Sequence, residues 1–209
     1  MELKEYWRNP CGLLSIPYWK HQRICLPSNM KILHQRHFSK EAAEGYRDQI
    51  YFRLLHDLNS IPVFHTDGYC TESSSPQDAQ VIADIINQSY RDIRMTASRV
   101  LDMTNSPAYC PELWLLVREG SSGQAVGCAI GEFDPASGEM SIEWVQVLPR
   151  FRQRGIGSAM VTELLRRAPA GTRFSTVSGQ VDNDTNPEGL YRRCGFTGND
   201  YWHILSKEN

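Results

Sequence analysis

A chain of 209 residues with 41% hydrophobic and 22% charged side chains can bury a sizeable core and has an ordinary globular balance. Its formal net charge of −2 supplies no global electrostatic reason to bind nucleic acid or an anionic membrane, so neither partner is expected. The opening residues MELKEYWRNP lack an apolar leader core, and no apolar run reaches the length of a membrane span; a cytoplasmic protein is the expectation.

Pro10, Pro17 and Pro27 interrupt the first thirty residues, which favours short strands and turns there over long helices. From Lys40 to Leu58 the spacing of Ala43, Tyr46, Ile50 and Leu54 predicts one amphipathic helix. A polar breaker, Ser73-Ser74-Ser75-Pro76, then divides the chain. Ser75-Pro76 with Asp78 reads as an N-cap with proline at the first helical position, opening a helix through Ile82, Ile85, Ile86 and Tyr90. A second helix is predicted over Met95–Met103. Leu113–Arg118, Val126–Phe133 and Met140–Leu148 read as three antiparallel strands of a meander, separated by turns at Gly120–Gly123 and Asp134–Gly138. A helix over Gly155–Ala168, a strand over Thr172–Ser178, a short helix over Pro187–Arg193 and a last strand over Tyr201–Leu205 follow. Strands first, with helices inserted late, predict a mixed α/β sheet and exclude a regular doubly wound one.

Five arginines and a single acid, Glu163, lie between Arg150 and Arg167. Within that basic stretch, Arg152-Gln153-Arg154-Gly155-Ile156-Gly157-Ser158 joins a strand to a helix. Glycines at a helix start let the backbone approach a ligand, and the unpaired first-turn amides with the helix dipole suit a pyrophosphate. A Walker loop is excluded because the Gly-Lys-Ser/Thr ending is missing, and the dinucleotide spacing GxGxxG is absent too. Taken alone, the segment is equally consistent with a glycine turn in a solvated arginine run.

Two motifs together resemble the GNAT superfamily of N-acetyltransferases. Glu143–Gly157 is similar to its motif A, with Arg152, Gly155 and Gly157 filling Gln/Arg-x-x-Gly-x-Gly/Ala. Some thirty residues on, Asn186-Pro187-Glu188-Gly189-Leu190-Tyr191-Arg192-Arg193-Cys194-Gly195-Phe196 is similar to the signature in which an asparagine precedes Leu-Tyr-x-x-x-Gly-Phe. The resemblance extends over roughly Tyr69–Leu205, giving an expected N-acetyltransferase domain at 69–209 and an extension at 1–68 that packs on or extends its core.

The resemblance implies a central, mostly antiparallel sheet in which Met140–Val147 and Thr172–Ser178 form a splayed parallel pair. It implies that acetyl-CoA is the co-substrate, held by Val145, Gln146, Val147 and the loop Arg152, Gln153, Arg154, Gly155, Ile156, Gly157 and Ser158. An amide at Val145 is suited to hold the thioester oxygen as charge develops. Tyr191 would protonate the departing thiolate; a helix aromatic packed on the sheet is its ordinary alternative, which explains the ring but not the hydroxyl. Glu143 is the candidate base for the acceptor amine; by alternation it shares a face with Val145 and Val147 unless a bulge intervenes, and a strand carboxylate in a salt bridge is its ordinary alternative. Asn183 and Asn186 flank the position, Asp184, where the signature places its cofactor-contacting asparagine, and Asn186 is also the natural cap of the following helix.

Six cysteines without a CxxC pair, and five of the six histidines (His21, His34, His37, His56 and His65) scattered without ligand spacing, argue against a metal site or a disulfide framework. Cys194 has no activating neighbour in the sequence, so transfer directly to the amine is expected over an acyl-enzyme. The resemblance implies a primary amine of an unidentified small molecule or peptide as acceptor and places its pocket around Tyr90–Pro111, where Asp92, Arg94, Arg99 and Asp102 form a mixed set that selects no substrate class. The protein would be a monomer or homodimer. The competing reading is a non-catalytic acyl-CoA-binding or sensing module of the same fold.

Overall fold

The computed structural model describes residues 1–89 and 93–207. Among them, one mixed sheet of eight strands carries the fold, in the order β1-β8-β2-β7-β6-β5-β4-β3. Its strands are β1 (Met30–His34), β2 (Arg47–His56), β3 (Tyr69–Ser73), β4 (Tyr109–Glu119), β5 (Ala125–Asp134), β6 (Glu139–Val147), β7 (Phe174–Gln180) and β8 (Thr197–Ser206). Every neighbouring pair is antiparallel except β6 and β7. The expected α/β class and the meander β4-β5-β6 are therefore present. The edge strand β3, which pairs with β4, carries no comparable sequence pattern.

The predicted helix over Lys40–Leu58 is a correction. Gly45 takes φ 74°, which ends any helical turn there, and the chain then runs extended as β2 between β7 and β8. Both faces of β2 are covered. Phe52 and Leu54 are fully buried in the main core, while Arg53 and Leu55 turn to the opposite face and meet Tyr6 there. A strand buried on both sides loses the polar half of its alternation, so its apolar residues fall at spacings that also fit a helix. Ile50-Tyr51-Phe52, β-branched and aromatic, is the contrary signal.

The opening residues form three one-turn helices, α1 (Leu3–Tyr6), α2 (Pro10–Leu13) and α3 (Tyr18–His21), in place of the expected strands and turns. Proline explains the difference. Pro10 occupies the first helical position and Asn9 caps it, accepting from the Gly12 amide at 3.1 Å. The prolines limit helix length without preventing helices. Tyr6, Leu14 and Phe174 form a small core of their own beneath these turns.

The remaining helices match the sequence pattern within a residue or two. A 3₁₀ turn at Pro76–Asp78 leads into α4 (Ala79–Ser89), and the Asp78 carboxylate accepts from the Ser75 amide at 2.8 Å. The helix α5 (Ala97–Met103) is capped by Thr96. The helices α6 (Ile156–Arg166) and α7 (Pro187–Arg193) pack together, with Ile82, Ile86, Leu113, Leu115, Ile130 and Met160 among the fully buried residues of the main core.

Candidate functional site

β6 and β7 pair in parallel only from Glu139↔Phe174 to Ile142↔Val177. Beyond that point β6 continues on β5 alone and β7 on β2 alone, so the two strands part and their facing edges lose strand partners. The parting coincides with a bulge. Gly131 pairs with Ile142 and Ile130 with Trp144, leaving Glu143 as the extra residue of β6. The simple parity that put Glu143 on one face with Val145 and Val147 is corrected accordingly, because a bulge re-aims its residue. Val145, Gln146 and Val147 lie past the bulge, paired with Ala129, Cys128 and Gly127.

At the C-terminal end of β6 the chain passes a 3₁₀ turn, Pro149–Phe151, and enters α6. Gln153 and Gly155 both adopt left-handed backbone, φ 62° and 80°, turning the segment into a cradle at the helix start. Among the described residues, no backbone hydrogen bond is donated by the amides from Gln153 to Ser158. Gly157 is needed for packing, since a Cβ there would lie 2.7 Å from Leu190 Cδ1 on α7. Arg152 folds back to donate from Nε to the Val147 carbonyl at 3.0 Å, bracing the turn. Arg154 donates to the Tyr69 hydroxyl at 2.8 Å, and Arg150 and Arg154 both lie over the Phe151 ring. Arg150 and Arg154 are exposed, and Arg150 donates to the Gln124 side-chain carbonyl.

Tyr191 is buried on α7, its ring 6.2 Å from that of Phe52 and 5.8 Å from that of Phe196. Asn183 accepts from the Thr185 amide and hydroxyl at 2.9 and 2.6 Å, and Asn186 caps α7 by accepting from Gly189 at 3.1 Å. Both asparagine side chains thus have local structural work. Cys194 is buried, and that burial pushes its thiol up to about 11, far from a thiolate nucleophile.

A cavity of about 130 Å³ opens where β6 and β7 part, between Ser141–Glu143 and Thr176–Ser178, and the segment Ser15–Lys20 closes it. Its charges are unusual. Lys20 Nζ contacts the Glu143 carboxylate and lies 3.2 Å from Glu132 Oε2 on β5. Burial works against the Lys20 charge, but Glu143 and Glu132 outweigh it and raise the ammonium's pKa. Burial and then the Glu143 charge push Glu132 up to about 7, with Lys20 opposing them. Sequence reasoning missed Lys20 and Glu132. For Glu132 a signal existed, a lone acid in the apolar run Val126–Phe133; Lys20 lies in no motif.

Arg53, which also lines the cavity, forms a buried ion pair with Glu139 at 2.8 Å. Glu139 also accepts from the Tyr6 hydroxyl at 2.8 Å, the Tyr18 amide at 2.9 Å and the Thr176 hydroxyl at 2.6 Å. These bonds seat the N-terminal turns on the sheet and so hold Lys20 over the parting strands. Of the expected acceptor segment, Tyr90 and Asp92 lie outside the described residues. Arg94, Arg99 and Asp102 are exposed. A larger cavity of about 440 Å³, lined by Tyr109, Pro111, Phe133 and Arg167, lies by the C-terminal end of α6 and holds none of the residues named for chemistry. Among the described residues there is no cluster able to hold a metal and no helix long and apolar enough to cross a membrane.

A single parallel strand pair that parts, followed by a glycine-headed helix, is the arrangement that the resemblance to the GNAT superfamily implied. The family model for the acetyltransferase (GNAT) family matches residues 80–196. The chain belongs to that family. Among solved structures it is similar to a GCN5-related N-acetyltransferase from Sphaerobacter thermophilus, 26% identical with a TM-score of 0.69, over 87% of this chain and 61% of that one. It spans the same 61% of a GCN5-related N-acetyltransferase from Kribbella flavida, over 87% of its own length, at 17% identity and a TM-score of 0.55. Ard1 from Thermoplasma volcanium, 20% identical with a TM-score of 0.53, is covered over 99% of its length by 68% of this chain. No curated protein matches the chain in sequence.

Proposed function

We propose that the protein is an acetyl-CoA-dependent N-acetyltransferase that moves an acetyl group directly to a primary amine of a small molecule or peptide. The observation carrying this reading is the coincidence, in one place, of the parted strands, the bulged Glu143 and the unpaired amides at the start of α6. The cradle fits a pyrophosphate, because free helix-terminal amides and the flanking Arg150 and Arg154 present positive charge to it. The unpartnered edges of β6 and β7 fit an amide-bearing pantetheine arm in the manner of an added strand. Acetyl-CoA supplies the activated acetyl group as a thioester.

In this reading the chain's own groups divide the remaining work. The amides from Gln153 to Ser158 hold the pyrophosphate, and the backbone of Val145–Val147 aligns the arm. The Val145 amide stabilises charge on the thioester oxygen. Glu143 takes the proton from the acceptor amine, and the Tyr191 hydroxyl gives one to the departing thiolate. The segment 1–68 completes the acceptor cleft through Ser15–Lys20, in a protein placed in the cytoplasm as a monomer or homodimer.

The competing reading, a non-catalytic acyl-CoA sensor, is favoured by the burial of Tyr191 and the occupation of Glu143 by Lys20. Release of free thiol from acetyl-CoA in the presence of amino acids, polyamines, aminoglycosides or peptides tests the enzyme, alongside calorimetric CoA binding. Tyr191→Phe should retain CoA affinity and lose turnover. Tight CoA binding with no thiol release on any amine sinks the catalytic reading in favour of the sensor.

A further inference from the structure

Lys20 and Arg53 both line the cavity between the parted strands; Arg53 is committed to Glu139, which leaves Lys20 as the cation that Glu143 and Glu132 share. Glu143 lines it, Glu132 stands immediately behind, and Lys20 reaches down from α3 to touch both. Glu132 is 7% exposed, so neither solvent nor a mobile counterion neutralises it cheaply. A second observation points the same way. Ser141, the cross-strand partner of Glu132, lines this cavity, is 3% exposed, and its Oγ has no hydrogen-bond partner. A buried serine hydroxyl left unpaired has an O–H to donate and lone pairs with which to accept, so a polar partner seated here would satisfy it.

An ammonium has three N–H groups and no acceptor, and its recognition therefore calls for a converging set of oxygens. Glu143 and Ser141, close together on β6, provide such a set. Lys20 occupies part of it now, tethered by its own backbone.

We propose that Glu132 and Glu143 form a two-seat ammonium subsite which Lys20 bridges in the free protein. The acceptor is then taken up as a primary alkylammonium that seats on Glu143 and Ser141, while Lys20 withdraws onto Glu132. This rests on the acyltransferase reading and narrows it: the acceptor is recognised as a cation, and Lys20 is its internal competitor for Glu143. No bond is made or broken in the exchange; one ammonium replaces another on Glu143.

The test is calorimetric titration of n-butylammonium chloride, with n-butanol as neutral control, into the full chain saturated with CoA, so that no turnover occurs. Butylammonium should bind and butanol should not. Lys20→Met removes the competitor and should tighten butylammonium by at least about tenfold, the worth of one charge-assisted contact. Glu132→Gln drives Lys20 wholly onto Glu143 and should weaken it by a similar factor. Thermal unfolding of each variant establishes that it is folded, and Lys20→Gln serves if Lys20→Met is not. Equal binding of butanol, no binding of butylammonium, or unchanged or weaker binding in the Lys20 variants would overturn the proposal. Failure of CoA to bind at all counts instead against the acyltransferase reading.

Discussion

Arg53 on β2 and Glu139 on β6 meet at 2.8 Å across the intervening strand β7, and both side chains are essentially without solvent exposure. The pair joins a strand from the first third of the chain to the strand that carries the candidate base. Arg53 also donates to Ser178 at 3.1 Å and to Thr176 at 3.2 Å, both on β7. Removing one partner leaves an uncompensated charge in the interior. Arg53→Met is therefore expected to cost about 3–5 kcal/mol, enough to unfold a protein of ordinary stability. Urea unfolding measures it. Restoration by the double change Arg53→Met with Glu139→Met supports the charge argument, whereas equal loss in single and double variants points to packing alone.

Gly179 on β7 lies under the ring of Phe52, and a Cβ there would come within 2.5 Å of Phe52 Cζ. Phe52 is fully buried beside Tyr191, so its ring has nowhere open to move. Gly179→Ala should destabilise by roughly 1–3 kcal/mol through overpacking. Phe52→Leu should recover part of that loss in the double variant, because neighbours in contact are not additive. Full additivity in chemical unfolding argues against the contact as the cause.

Gly155 heads α6 at φ 80°, and no atom comes closer than 3.6 Å to the place an alanine methyl would take, so alanine there meets a conformational cost without a steric one. A left-handed alanine costs about 1–2 kcal/mol. The cheapest relief is for the cradle to relax, which misdirects its amides. Gly155→Ala is expected to weaken CoA binding about tenfold while changing the melting temperature little. Undiminished CoA affinity would mean that this turn is not where the pyrophosphate sits.

Glu132 gives the protein a pH signature. Its carboxyl is pushed up to about 7 by burial and by Glu143, above the ordinary carboxylate range. The folded state thus binds this proton more tightly than the unfolded chain. Its stabilising effect is fully present below the unfolded pKa and declines as pH rises from about 4.5 to about 7, after which it is constant. Glu132→Gln removes that dependence. The stability of the variant relative to the native chain should climb by a few kcal/mol between about pH 5 and 8, as an order of magnitude from the cited rise. Parallel stability curves for the two proteins over that interval would contradict the environment assigned to Glu132.

A base whose proton moves in catalysis leaves a kinetic trace. Glu143→Gln is expected to lower kcat by about 10²-fold or more with CoA affinity kept. Turnover near that of the native chain would transfer the role to another group at the parting strands.

Much of the fold was legible in the chain itself, because the informative features are local. The turn glycines, the Ser75-Pro76 cap, the helix signal over Pro187–Arg193 and the strand pattern of β4, β5 and β6 act within a few residues, where backbone preferences operate. Arg152-Gln153-Arg154-Gly155-Ile156-Gly157 and Leu190-Tyr191 with Gly195-Phe196 were enough, as an ordered pair, to indicate the family. Tertiary structure alone decided the rest. It took β2 for the sheet against a helical spacing, since burial on both faces erased the alternation that marks a strand. It put the extra residue of β6 at Glu143, because register depends on the partner strand. And it brought Lys20, Glu132 and Glu143 together from separate parts of the chain, as only long-range packing can.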